Sequence, residues 1–165
     1  LNENPIPVID NRSYSIKNYS FINANLSNIK NLLIFENNLS FEQSDFNDQS
    51  FKNIYFVFNG NETRQIKLDE KVLNFKKSLI NNQIVDLNNK SLNCKMINIQ
   101  DLKDMKENFL GLYPSVGENL DYINSNNLKN IFFLYRKIDQ YSWKYSTKGF
   151  FNFKNYIPKI VQEFI

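Results

Sequence analysis

Any catalysis in this chain has to be assembled without histidine, because its 165 residues contain none, and its only thiol is Cys94. That removes imidazole bases, histidine-activated nucleophiles and nearly all zinc or iron sites, since one cysteine among scattered carboxylates is a poor ligand set. What remains is carboxylate chemistry. Asp101, Asp104 and Glu107 recur every three residues and would lie near one side of a helix, although Lys103 and Lys106 beside them give the composition of a solvated face. Glu36, Glu42, Asp45 and Asp48 form an acidic patch with no basic residue between them, suited to a weakly held cation or a basic partner. No metal site and no cofactor follow from these residues. The four glycines, Gly60, Gly111, Gly117 and Gly149, stand alone, so phosphate-loop and dinucleotide fingerprints are absent.

The more distinctive chemistry lies near the carboxyl terminus. Tyr141, Trp143 and Tyr145 alternate with Ser142, Lys144 and Ser146, and Lys148 follows. Residues 126–165 carry seven basic side chains against only Asp139 and Glu163, whereas the chain as a whole is nearly balanced at +3. Rings beside lysines suit either a protein interface or the stacking of single-stranded nucleic acid. With only Arg12, Arg64 and Arg136 in the chain, bidentate phosphate clamps are few, which disfavours nucleic acid. The sequence therefore points to a non-catalytic protein–protein interaction domain with Tyr141, Trp143, Lys144, Tyr145 and Lys148 on the interacting surface. The alternatives are a histidine-independent enzyme using carboxylates and a single-stranded nucleic-acid-binding module built on the same basic, aromatic region.

Positioning these groups requires a packed domain. Hydrophobic residues make up 42% of the chain and aromatics 15%, enough to offset the entropy of ordering it. The pattern predicts an N-terminal arm over 1–13, marked by Pro5 and Pro7, and a single α+β domain over 14–165. Its sheet is expected to be mainly antiparallel, built from hairpins, with two to four packed helices. Ile54–Phe58, Asn59-Gly60 and Thr63–Leu68 read as the central hairpin, with Gly60 at positive φ. Ile84–Leu87 with Leu92–Met96, and Gln140–Ser146 with Phe151–Phe153, read as two more. Helices are expected from Asp69 to about Asn82, from Asp101 to about Phe109, from Gly117 to Asn124, and from Lys154 to Ile165. Cys94 falls in an alternating segment with Leu92 and Met96, the setting of a buried, inert thiol.

Leu26-x-x-Ile29-x-x-Leu32-x-Ile34 has the spacing of a leucine-rich repeat, and Phe51-Lys52-Asn53-Ile54-x-Phe56 partly repeats it 22 residues later. Leu128-Lys129-Asn130-Ile131-x-Phe133 is a third, distant copy, too far along for a continuous solenoid. Ordinary strands are the expected reading of all three. No apolar run is long enough to span a bilayer. The chain begins at Leu1 without a methionine, which suggests a processed or excised piece and an extracytoplasmic or membrane-tethered soluble domain, the soluble part of an envelope-associated or secreted protein.

Overall fold

A computed structural model describes residues 26, 28–46, 49–89, 92–146 and 149–164. The predicted arm over 1–13, Asp48 and Lys148 lie outside the described residues. Five strands, β1 (Asn31–Phe35), β2 (Asn53–Phe58), β3 (Asn93–Asn98), β4 (Phe109–Leu112) and β5 (Ile131–Leu134), form one sheet in the order β3-β2-β1-β4-β5. Each of the four pairings is parallel. Helices and strands are both present as expected, but the antiparallel sheet of hairpins is overturned.

The physical reason is visible in β1. Leu32 and Ile34 pack on one face of the sheet, Leu33 and Phe35 on the other, and all four are fully buried. A central parallel strand covered on both faces needs a continuous apolar run, so the two-residue alternation that announces a half-solvated hairpin strand does not appear. Parallel neighbours also require a crossover between them rather than a tight turn. After β2 the chain does not turn back into a second strand. Asn61 staples the connection instead, donating from Nδ2 to the Leu68 carbonyl at 2.9 Å and accepting from the Leu68 amide at 2.8 Å. Gly60 has no positive φ. Ile66, expected on the buried side of a strand, is 78% exposed.

Helix α1 (Glu70–Asn88) follows, with Asp69 accepting from the Lys71 amide at 2.8 Å as its N-cap. It absorbs Ile84–Leu87, because Leu73, Ile80, Ile84 and Leu87 continue one helical stripe that packs against β2 and β3. The second face of the sheet is covered by the 3-10 turn Ile99–Lys103 and by α2 (Glu118–Ser125), through Ile99, Leu102, Tyr122 and Ile123. The helix expected from Asp101 to Phe109 does not form. Asp101 closes the 3-10 turn by accepting from the Asn98 amide at 2.8 Å, and Phe109 opens β4, so Asp101, Asp104 and Glu107 share no helix face.

The described residues of the expected aromatic hairpin over 140–153 form no strands: they contribute to α3 (Lys137–Trp143) and α4 (Phe150–Phe153), and after a 3-10 turn α5 (Ile157–Phe164) follows. Tyr141 and Tyr145 sit four apart with ring centroids 5.6 Å from one another, and Tyr141 also meets Phe164 at 5.3 Å. A five-residue alternation fits this i, i+4 pairing as well as it fits a strand, and packing on α5 decides it.

The 22-residue echo marks strand pairing and not a solenoid. Asn31 pairs with Asn53, and Asn53 with Asn93, at the amino ends of β1, β2 and β3. Their side chains form a ladder, with Asn53 Nδ2 donating to Asn31 Oδ1 at 2.9 Å and Asn93 Nδ2 to Asn53 Oδ1 at 2.7 Å. A solenoid would place its strands side by side in chain order. Here the order reverses at β1.

Candidate functional site

A sheet of this order has helices on both faces and a switch point, between β1 and β4, where successive connections leave in opposite directions. In open parallel sheets the crevice at the carboxyl ends of the strands beside such a point is the place that accepts ligands. Here it is formed by the residues after β1 (36–38), after β2 (59–64) and after β4 (113–118). The first two loops are rich in amides, and those amides tie the loops together. Asn37 Nδ2 donates to the Pro114 carbonyl at 2.5 Å, and Asn38 Nδ2 donates to the Tyr113 carbonyl at 3.1 Å. Asn59 Nδ2 donates to Asn119 Oδ1 at 3.1 Å, and Asn119 Nδ2 to Asn37 Oδ1 at 3.4 Å.

Beneath the amides lies a charged network. The side chains of Arg64 and Glu36 are only 6% and 5% exposed, and Arg64 Nη2 meets Glu36 Oε1 at 2.8 Å. Lys76 from α1 approaches the same carboxylate oxygen at 2.6 Å, and the Asn59 amide donates to the other, Oε2, at 3.2 Å. Arg64 also donates to the Asn59 carbonyl from Nε at 3.2 Å and from Nη2 at 3.0 Å. One edge of the guanidinium is therefore held by the protein's interior. The other edge, through Nη1, pairs with Glu118, whose side chain is 44% exposed at the rim. Glu118 opens α2 directly after Gly117, which at φ 131° has a conformation that side-chain-bearing residues rarely adopt. The amino end of α2 adds partial positive charge to that of the guanidinium.

The residues singled out from sequence are distributed differently. The acidic patch is divided: Glu36 is in the network just described, while Asp45 Oδ2 accepts from the Glu42 amide at 3.0 Å and pairs with Arg136 Nε at 3.3 Å. Burial pushes the Asp139 carboxyl up, against the lowering effect of nearby Arg136. Among the described residues no group of three carboxylates or thiols is placed to hold a metal ion. Trp143 turns toward the carboxyl edge of the sheet, edge-on to Tyr113 and Tyr135 with centroids 5.9 Å from each. Tyr141 and Tyr145 point away from it to α5 and the turn before it, and Tyr145 stacks on Tyr156 at 4.3 Å. Lys144 Nζ lies 3.7 Å from the Tyr141 centroid. A hydrogen bond between the two hydroxyls raises the Tyr141 pKa and lowers that of Tyr145.

Arg64, Lys76, Asn37, Asn59 and Asn119 escape a reading of sequence alone. With 29 asparagines spread along the chain, individual ones carry no signal. The scarcity of arginine was the available clue, since Arg64 is one of only three. Comparison with protein-family models, with curated proteins and with solved structures finds no match to this chain.

Proposed function

We propose that this domain binds an anionic small molecule, carrying a phosphate or carboxylate group, at the crevice between the carboxyl ends of β1 and β4. One observation carries the reading: Arg64 is locked on its inner edge by Glu36 and the Asn59 carbonyl, and among the described residues its outer edge pairs with the rim carboxylate of Glu118. Buried ion networks contribute little net stability compared with apolar packing of the same volume, so stability alone gives no reason to place these charges here. Strand order supports the location and not the identity of the ligand, because one fold serves many chemistries. In this reading Glu118 occupies the anion's position until the ligand displaces it, and the surrounding asparagine amides donate to and accept from the rest of the molecule. No bond-making step is assigned, and the domain is read as binding rather than catalytic.

The test is thermal stabilisation by inorganic phosphate, nucleoside monophosphates, nucleoside diphosphates and dicarboxylates. A ligand that binds only the folded state raises the unfolding temperature with concentration. Glu118→Gln, which removes the competing charge, is expected to strengthen binding, and Arg64→Lys, which keeps a charge but loses the planar fork, to weaken it about tenfold or more. Failure of all these anions to stabilise the protein, or stabilisation indifferent to both substitutions, refutes the proposal.

A second reading, a protein-binding surface, is favoured by α1. Val72, Phe75 and Leu79, three and four residues apart, form an exposed apolar stripe on the helix, separate from the one that packs on the sheet. A photo-crosslinking residue at position 75 should then capture one defined protein that the same residue at position 78 does not. Equal labelling at both positions would dismiss that surface.

A further inference from the structure

The segment from α4 through α5 has two apolar sides, and among the described residues only one of them is covered. Ile160 is buried and Phe164 packs on Tyr141, which seats the segment against α3. On the open side Phe150 is 65% exposed and Phe151 is 79% exposed. Ile157 and Val161 are exposed as well, and with Phe150 and Lys154 they follow a spacing of four, three and four residues, which keeps side chains near one face of a helical segment. The charge of this segment is basic on balance: residues 150–164 carry Lys154 and Lys159 against Glu163, with Lys159 near Tyr141 and Tyr145 on the covered side. Lys154 Nζ lies 5.6 Å from the Phe151 centroid, so cation and ring are presented together.

We propose that this segment is a membrane-surface anchor that lies in the interfacial plane of a bilayer containing anionic lipid. An in-plane helix of this kind needs an apolar face to enter the boundary between headgroups and acyl chains, and lysines beside it to meet lipid phosphates. Two consecutive, wholly apolar rings suit hydrocarbon better than a nucleic-acid surface, where arginines and rings with polar edges would be expected. The anchor lies on the membrane and does not cross it: no helix among the described residues is long and apolar enough to span a bilayer. The proposal is independent of the anion site, which is built from other elements.

The experiment is flotation of the chain with vesicles of phosphatidylcholine alone and of phosphatidylcholine with phosphatidylglycerol in equal parts, at low and high salt. Binding to the anionic vesicles, weaker at high salt and weaker on neutral lipid, is the expected result. The double substitution Phe150→Ser with Phe151→Ser should lower the bound fraction about tenfold or more, and Lys154→Glu should lower it on anionic vesicles only. Ile66→Ser, an equally exposed apolar position outside the segment, should leave binding unchanged. Circular dichroism and the unfolding temperature of each variant establish that it is folded. Absence of binding to anionic vesicles overturns the proposal, as does binding that survives loss of both rings. Self-association without lipid, abolished by the double substitution, would assign the face to a second copy of the chain instead. An oligonucleotide that displaces the chain from vesicles would assign it to nucleic acid.

Discussion

Replacing Arg64 by alanine removes the centre of the charged floor, and its cost can be worked from the contacts. The ion pair to Glu36 at 2.8 Å disappears, with the hydrogen bonds to the Asn59 carbonyl at 3.0 and 3.2 Å and the rim pair to Glu118. Glu36 is not stranded, because Lys76 Nζ stays at 2.6 Å and the Asn59 amide at 3.2 Å. Breaking a buried pair costs about 3–5 kcal/mol when the surviving charge has no partner. The retained lysine holds Arg64→Ala to the lower end, about 3 kcal/mol, and the half-exposed Glu118 pair adds at most about 1 kcal/mol. With a urea slope of about 2 kcal/mol/M, the unfolding midpoint should fall by about 1.5 M. Removing both charges, as Arg64→Leu with Glu36→Leu, should recover much of that loss, since no ion is then left to desolvate. A loss below about 0.5 kcal/mol for Arg64→Ala, the range of an ordinary surface change, would refute the reasoning. So would a double variant as unstable as the two single changes added together.

Trp143→Ala should cost about 2–3 kcal/mol by urea unfolding, because the indole packs edge-on against Tyr113 and Tyr135 and is only partly exposed; a cost near zero would place the ring at the surface. Gly111 lies where an added Cβ would come within 3.2 Å of the Leu33 carbonyl oxygen in the neighbouring strand, so Gly111→Leu should destabilise by about 1–3 kcal/mol through overpacking, and an unchanged midpoint would contradict that approach. Asn53→Ala removes the middle rung of the asparagine ladder and should cost about 1 kcal/mol, with Asn53→Asp costing at least as much because one side-chain donor is lost. Burial pushes the Cys94 thiol above its ordinary value of 9.0, so its contribution is intact below that pH, where both folded and unfolded thiols are protonated, and is lost as pH rises from 9.0 through the folded value. A thiol reagent at neutral pH should label Cys94 at the rate of unfolding, and rapid labelling of the folded chain would show the site to be open.

The elements that rest on local signals were legible. Asp69 before a run of amphipathic period is a helix start, and it caps α1; the continuous apolar run Asn130–Tyr135 fits a central strand or a buried helical turn, and it forms β5 at 131–134, on the edge of the sheet and not at its centre. The failures share a cause. Most of Leu92–Met96 does lie in a strand, since β3 begins at Asn93, but the direction in which strands pair is not written in any one of them. A doubly buried parallel strand and a hairpin strand in a core present the same valines, leucines and phenylalanines. The site failed for a related reason, since Arg64 and Glu36 are 28 residues apart in the chain and Asn119 and Asn37 are 82 apart.

By itself, the sequence determined the chemistry that this protein lacks and the positions at which its chain can start a helix or enter a strand. The absence of histidine excludes imidazole mechanisms whatever the fold, and Lys-Asn before an apolar run recurs at the entries of β1 and β2 because those strands pair in one register. Only tertiary structure decided what those pieces became. Parallel pairing of β1 with β2 and β4 requires crossovers, which cover both of its faces, and the reversal of strand order at β1 carries Glu36, Asn59 and Glu118 to the same edge. There Arg64, an unremarkable residue in a polar loop, loses its water and must find its partners inside the protein.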